Sequence, residues 1–165
     1  MASWTQFEAE APELAARAWR CLDAHGHKTV ATLRRDGSPR ICGTELATYD
    51  GWLWLAGALR FADLRRDPRF ALHSGSDDPA VWREHPESTA DAKLAGTAHE
   101  VTDPDELAAF AAAGSAESPH DEAVTPGSFE AFRLDLTEAV VVRVGDGHLL
   151  VESWHEGRGR SRAER

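Results

Sequence analysis

Three short turns constrain this chain more than any other feature. "DGSP" (36–39), "YDGW" (49–52) and "GDGH" (145–148) each separate two segments that read as strands. Gly supplies the positive φ that a tight turn demands, and Pro39 brings no N–H to a ladder. Connections this short join only antiparallel neighbours, because a parallel crossover needs about a dozen residues or more.

Around the first two turns lie "KTVATLR", then "RICGTELAT" (40–48), then "WLWLAG", three strands in meander order. "RFADLRRDP" (60–68) reads as a short helix, with Phe61 and Leu64 three apart and Pro68 as its stop. "RFALHSG" resumes as a strand, 76–91 is a polar loop, and 92–102 alternates as a further strand. Residues 103–113 carry a helix signature: Asp103 as N-cap, Pro104 at the first position and Glu106 completing a capping box. A Gly-, Ser- and Pro-rich loop follows, and "FEAFRLDLTEAVVVRV" and "HLLVESW" are the closing strands.

The expected fold is therefore mainly β: six or seven antiparallel strands with peripheral helices, closed into a barrel because closure removes exposed edges. Strand and helix do not alternate regularly, which excludes a Rossmann-type sheet. A single domain is expected over 1–165. It comprises an N-terminal helix at 8–24 with Ala11, Leu14, Ala15, Ala18 and Leu22 on one face, a barrel over 28–155, and a basic tail at 156–165 that frays into solvent.

Charge is unevenly spread. The chain has a formal net charge of -10, yet residues 28–69 hold eight basic against five acidic residues, and the remainder ten against 23. An acidic surface disfavours nucleic acid, whereas a local basic field focuses a small anion, of which a phosphorylated small molecule is the natural case. No apolar run approaches the roughly 18 residues of a membrane span, and the acidic N-terminus is unlike a secretory signal. With only Cys21 and Cys42 and no CxxC pair, the expected compartment is the cytoplasm and both cysteines are expected as small apolar residues.

Recognisable catalytic signatures are missing. There is no GxGxxG, P-loop, GxSxG or HExxH, and His25 and His27 merely flank a glycine at a helix end, so no metal is expected. His73 is expected as a satisfied strand histidine. If the chain is an enzyme, a cofactor carries its chemistry and no catalytic side chain is identified.

The succession "ATLRRDGSPR", "DGWLWLAG" and "RFADLRRDPRFALHS", continued by "FRLDLTEAVVVRV" and "ESWHEGRG", resembles the pyridoxamine 5'-phosphate oxidase-like family of FMN-binding split β-barrels over most of residues 25–160. The resemblance implies a six-stranded split barrel and an obligate homodimer with two cofactor sites between subunits. It implies FMN, the deazaflavin coenzyme F420 or, in a few members, haem. It places Arg40 at the cofactor phosphate, the amides of Gly43 and Thr44 at the ring, and Arg60 of the basic-x-x-[ND]-L-x-x-[DN]-P motif at the phosphate. N-terminal amides of the following short helix add to that site. Trp154 and Arg158 fall in the closing segment that reaches the partner's cleft, although a Trp in such a place more often packs in a core or interface than stacks on a ring, and one at least of Arg65 and Arg66 is expected to be solvated. The segment between strand and Arg60 is shorter than in many relatives. Glu45 stands where the vitamin B6 oxidases proper have a basic residue. Three functions follow as alternatives: a flavin or deazaflavin oxidoreductase acting on a small-molecule substrate, a non-catalytic flavin or haem store or sensor, and an unliganded dimerisation module.

Overall fold

The computed structural model describes residues 2–57, 61–75, 79–84, 90–117, 129–145 and 147–165. The chain begins with two helices, α1 (Trp4–Glu10) and α2 (Pro12–Asp23), where one helix over 8–24 was expected. Pro12 accounts for the difference. Its ring and missing N–H forbid a helix running through from the preceding turn, so Ala11 leaves helical geometry (φ -145°, ψ 60°) and α2 restarts with Pro12 in its first turn. The expected apolar face is intact: Ala11, Leu14, Ala15, Ala18 and Leu22 are all buried.

Four strands follow: β1 (Lys28–Leu33), β2 (Pro39–Thr44), β3 (Ala47–Tyr49) and β4 (Trp52–Gly57). In the β3–β4 turn Asp50 and Gly51 have φ of 48° and 76°, the mirror-image turn whose twist matches paired strands. Next come α3 (Ala62–Arg66), β5 (Arg69–His73) and α4 (Pro79–Glu84). The polar segment 76–91 is thus not wholly loop: it contains α4, and β6 (Ala90–Glu100) begins inside it. In α5 (Pro104–Glu117) the Asp103 carboxylate accepts from the amides of Asp105 (2.9 Å) and Glu106 (3.4 Å). Glu106 pairs with Arg133 at 3.1 Å, so its side chain serves the neighbouring strand rather than the cap.

The chain closes with β7 (Glu130–Gly145), β8 (His148–His155) and β9 (Gly159–Glu164). The last of these corrects the expectation of a frayed tail. β9 pairs with β8 along its length, and Leu149 and Arg165 exchange two main-chain hydrogen bonds of 2.9 Å. Main-chain pairing holds a segment that its exposed, polar side chains would not.

The nine strands of the described residues form one antiparallel sheet, in the order β2-β1-β5-β6-β7-β4-β3 with β8 and β9 branching from β7. β6 runs along one edge of β7. The other edge takes β4 over Glu130–Leu134 and β8 over Glu138–Gly145. Between these two partners the Leu136 N–H donates to the Ala2 carbonyl at 2.9 Å. The sheet therefore forks, and a bulge between Ala95 and Gly96 lies on the opposite edge of the same stretch. The expected closed barrel is an open sheet: β2 and β4 share no ladder, and side chains line the seam between them.

α1 and α2 cover the concave face, joining Leu14, Ala18 and Leu22 to Val30, Leu72, Leu94, Val141 and Trp154 in one core. A second cluster on the other side packs Trp54 against Phe110 of α5, rings stacked at 4.5 Å. No helix among the described residues is long and apolar enough to cross a membrane.

Candidate functional site

The register of the first hairpin builds the site. Thr32 faces Arg40, Val30 faces Cys42 and Lys28 faces Thr44. Since strand side chains alternate, all six project to the concave side, while Ile41 and Gly43 face outward and Ile41 is 72% exposed. Where the seam with β4 stays open, a groove of about 310 Å³ forms. One wall is Val30, Thr32 and the Cys42–Glu45 stretch, the other is Ala56, Gly57 and Phe61, His27 stands at the rim and Asp63 at the base. A second, more basic groove of about 430 Å³ is lined by Arg34, Arg35, Asp36, Arg40, Asp63 and Arg66. Asp63 belongs to both.

Asp63 is buried, and both its oxygens are engaged. Arg66 Nη2 donates to Oδ1 at 2.7 Å, while Arg40 Nε lies 3.1 Å and Thr32 Oγ1 3.4 Å from Oδ2. The Arg66 hydrogen bond holds this carboxyl below the usual range. Burial works against that effect and the Arg40 charge adds to it. Arg66 Nη2 also donates to the Leu33 carbonyl at 2.6 Å, which ties α3 to the end of β1. Arg34 Nη1 donates to the Pro39 carbonyl at 2.5 Å across the turn, and Arg35 has no partner among the described residues. At the other end of β1, Lys28 Nζ donates to the His25 carbonyl at 2.5 Å, and burial lowers its pKa.

Among the residues expected to bind a cofactor, Arg40, Gly43 and Thr44 come together on β2. Thr44 and Gly43 line the first groove and Arg40 the second. Arg60 lies outside the described residues. Trp154 is elsewhere: it is 0% exposed, packs on Phe7 with ring centroids 5.0 Å apart, and donates from Nε1 to Glu10 at 2.9 Å. An indole so enclosed has no face to offer a ligand, so its part is in the core. Arg158 sits in the β8–β9 turn with Nη2 2.9 Å from His155 Nδ1, and within one chain it does not reach either groove.

Two further expectations change. Neither Arg65 nor Arg66 is simply solvated, since Arg65 bridges Glu100 and Glu130 while Arg66 is fixed on Asp63. The helix amides expected to face an anion are not all free either: the Phe61 N–H, preceding α3, donates to Glu130 at 3.2 Å. Thr32, Cys42, Asp63 and Phe61 are among the lining residues that the sequence did not assign to the site. Counting two residues at a time outward from the first turn would have placed Thr32 and Cys42 beside each other's neighbours. Asp63 holds the [ND] position of the motif that begins at Arg60, but the motif gives it no role, because that role depends on contacts made across 23 and 31 residues. No group of three or more His, Cys, Asp or Glu among the described residues is arranged to hold a metal ion.

No protein-family model matches the chain, and a search of curated proteins finds no match. Solved structures do match. A pyridoxamine 5'-phosphate oxidase-related, FMN binding protein from Nostoc punctiforme PCC 73102 is 12% identical, with TM-score 0.60, over 96% of this chain and 96% of its own. PhzG from Burkholderia lata 383, solved with tetrahydrophenazine-1-carboxylic acid, is 14% identical, with TM-score 0.61, over 98% and 95%. A heme binding protein from Mycobacterium smegmatis is 21% identical, with TM-score 0.53, over 90% of this chain and 57% of its own. At these identities the likeness establishes a shared fold.

Proposed function

We propose that this chain, which has the split-barrel fold of pyridoxamine 5'-phosphate oxidase-like proteins, is a flavin-dependent oxidoreductase of the cytoplasm. In this reading it binds FMN, or the related deazaflavin, and moves hydride to or from a small-molecule substrate. The observation that carries the reading is the adjacency of two unlike grooves on one hairpin, a half-apolar slot beside a basic one. A planar ring with a phosphate arm requires that combination. The slot volume of about 310 Å³ stands at the lower end of the ~300–1,000 Å³ range of small-molecule sites. In its second wall Ala56 and Gly57 are small residues that leave room for a ring edge beside Phe61.

Val30, Cys42 and Phe61 would exclude water from the ring, and the Gly43 and Thr44 backbone would orient it. Arg40 and Arg66 present guanidinium donors suited to phosphate oxygens. Bound flavin supplies two-electron chemistry that no side chain here can perform. The protein's share is to position the reactants and set the field around them. A homodimer completes the site in this proposal, with Arg158 of the β8–β9 turn serving the partner's cleft.

A second reading, a haem or flavin carrier without turnover, is favoured by His27 at the groove rim and by the haem-binding relative in fold. The test is the absorption spectrum of the purified protein before and after incubation with FMN, the deazaflavin or haem, with co-elution on gel filtration. A co-eluting flavin-type band that is reduced and reoxidised in the presence of a reductant and acceptor panel supports the oxidoreductase. A bound band without turnover supports the carrier. Failure to retain either flavin overturns the oxidoreductase.

A further inference from the structure

We infer that Asp63 is a positioning residue for anion binding, and that Arg66 is a ligand-binding residue paired with Arg40 across it. The two oxygens of the Asp63 carboxylate are divided between the two arginines, Oδ1 to Arg66 and Oδ2 to Arg40. Each arginine commits only part of its fork. Arg40 uses Nε, and Arg66 uses Nη2, which it shares with the Leu33 carbonyl. The remaining N–H groups have no partner among the described residues, and both side chains line the basic groove. Two guanidinium groups are thus held on the two oxygens of one buried carboxylate, within the same groove. That arrangement suits a tetrahedral oxyanion, which takes donors from more than one direction.

Charge supports it. Four arginines line this groove against two aspartates, and Asp36 Oδ1 is already occupied by the Ser38 amide and hydroxyl. Asp63 is saturated by its own partners, so the trio offers a net positive charge to a ligand instead of an open carboxylate. Arginine side chains carry much rotamer entropy. Fixing them during folding removes that cost from the binding step. Thr32 Oγ1 on Oδ2 and the Leu33 carbonyl on Arg66 lock the arrangement to β1, so the groove geometry is set by the hairpin.

The inference rests on the flavin reading for the identity of the ligand and on the groove alone for the anion. FMN and riboflavin differ only by the phosphate, so the ratio of their affinities reads the anion contacts and leaves out the ring. Titrations of wild type, Asp63→Asn and Arg66→Gln with both flavins, on protein shown to be folded by circular dichroism, are expected to show one pattern. Each variant lowers the FMN-to-riboflavin ratio by about tenfold, and Arg66→Gln, which lines the basic groove and not the slot, leaves riboflavin binding unchanged. A purely structural role would weaken both flavins together. An unchanged ratio in both variants overturns the inference while the flavin reading stands. So does tighter FMN binding by Asp63→Asn, which would make Asp63 a competitor of the phosphate. If Asp63→Asn does not fold, Arg66→Gln decides alone. If wild type binds neither flavin, the flavin reading fails, and pyrophosphate titrated by phosphorus NMR decides the groove. Broadening lost in Arg66→Gln supports the inference, and no broadening with wild type overturns it.

Discussion

Replacing Trp154 separates the core from the ligand site. The indole is fully buried, stacked obliquely on Phe7, and its Nε1 donates to Glu10, which holds α1 against β8. A buried Trp removes about 150–250 Å² from water, which at about 25 cal/mol per Å² amounts to roughly 4–6 kcal/mol. Truncation to Ala is accordingly expected to cost about 3–5 kcal/mol. In a chain of this size each kcal/mol moves the melting midpoint by roughly 2–4 °C, so Trp154→Ala should melt about 6 °C or more below wild type. Trp154→Phe keeps most of the ring volume and loses the hydrogen bond to Glu10, at a cost of about 1–2 kcal/mol. Urea unfolding followed by far-ultraviolet circular dichroism gives both values, and fluorescence titration gives flavin affinity for the folded Phe variant. That affinity should match wild type within about threefold, under 1 kcal/mol. A Phe variant of nearly wild-type stability whose flavin affinity falls more than about tenfold would refute the reasoning and return Trp154 to the ligand site.

At the fork, a Cβ on Gly96 would stand 1.8 Å from the Asp135 carbonyl oxygen, a backbone atom that cannot step aside. Gly96→Ala is expected to cost about 3 kcal/mol or more in the same urea assay, and a change below about 0.5 kcal/mol would mean that the β6–β7 bulge is wrongly placed. Glu152 holds Arg17 at 2.8 Å and Arg143 at 3.2 Å, joining α2 to the β7–β8 branch. Glu152→Leu should destabilise by about 3 kcal/mol, and Arg17→Met on that background should recover part of it. Acid should weaken the fold around α3, where arginine partners hold Asp63, Asp67 (to about 2) and Glu100 below their usual values. Carboxyls whose pKa is lowered by folding contribute fully above their unfolded values of about 3.9–4.3, and that contribution is lost as pH falls through the folded ones. The melting midpoint should decline between about pH 4.5 and 2, and a flat profile there would contradict these pairings.

The hairpins were legible because turn chemistry is local: Asp50 and Gly51 adopt positive φ for reasons contained in two residues. The capping role of Asp103 was legible for the same reason. The fork in β7 was not, since nothing within "FEAFRLDLTEAVVVRV" records that its edge changes partner between Leu134 and Glu138. β9 was not legible because it lacks an apolar alternation and is held mainly by its main-chain ladder with β8. At the site, the excess of arginine was visible and the placement of Arg40, Gly43 and Thr44 on one strand followed from the turn. The function of Asp63 was hidden, because a carboxylate counted along a chain looks like repulsion of an anion, and only its enclosure between Arg40 and Arg66 shows otherwise. Trp154 was ambiguous for a physical reason: an indole that stacks on a ligand and one that fills a core have the same sequence pattern.

Cysteine protection tests the placement of the ligand most directly. The chain has two cysteines. Cys42 lines the groove between β2 and β4, and Cys21 lies on α2 against the core. Labelling both with a maleimide, with and without saturating FMN, and quantifying each by peptide mass spectrometry reports where FMN sits. FMN should slow the labelling of Cys42, which lines the groove, and leave that of Cys21 unchanged. Saturated protein in which Cys42 reacts as fast as it does without FMN would place the ligand outside this groove and contradict the account.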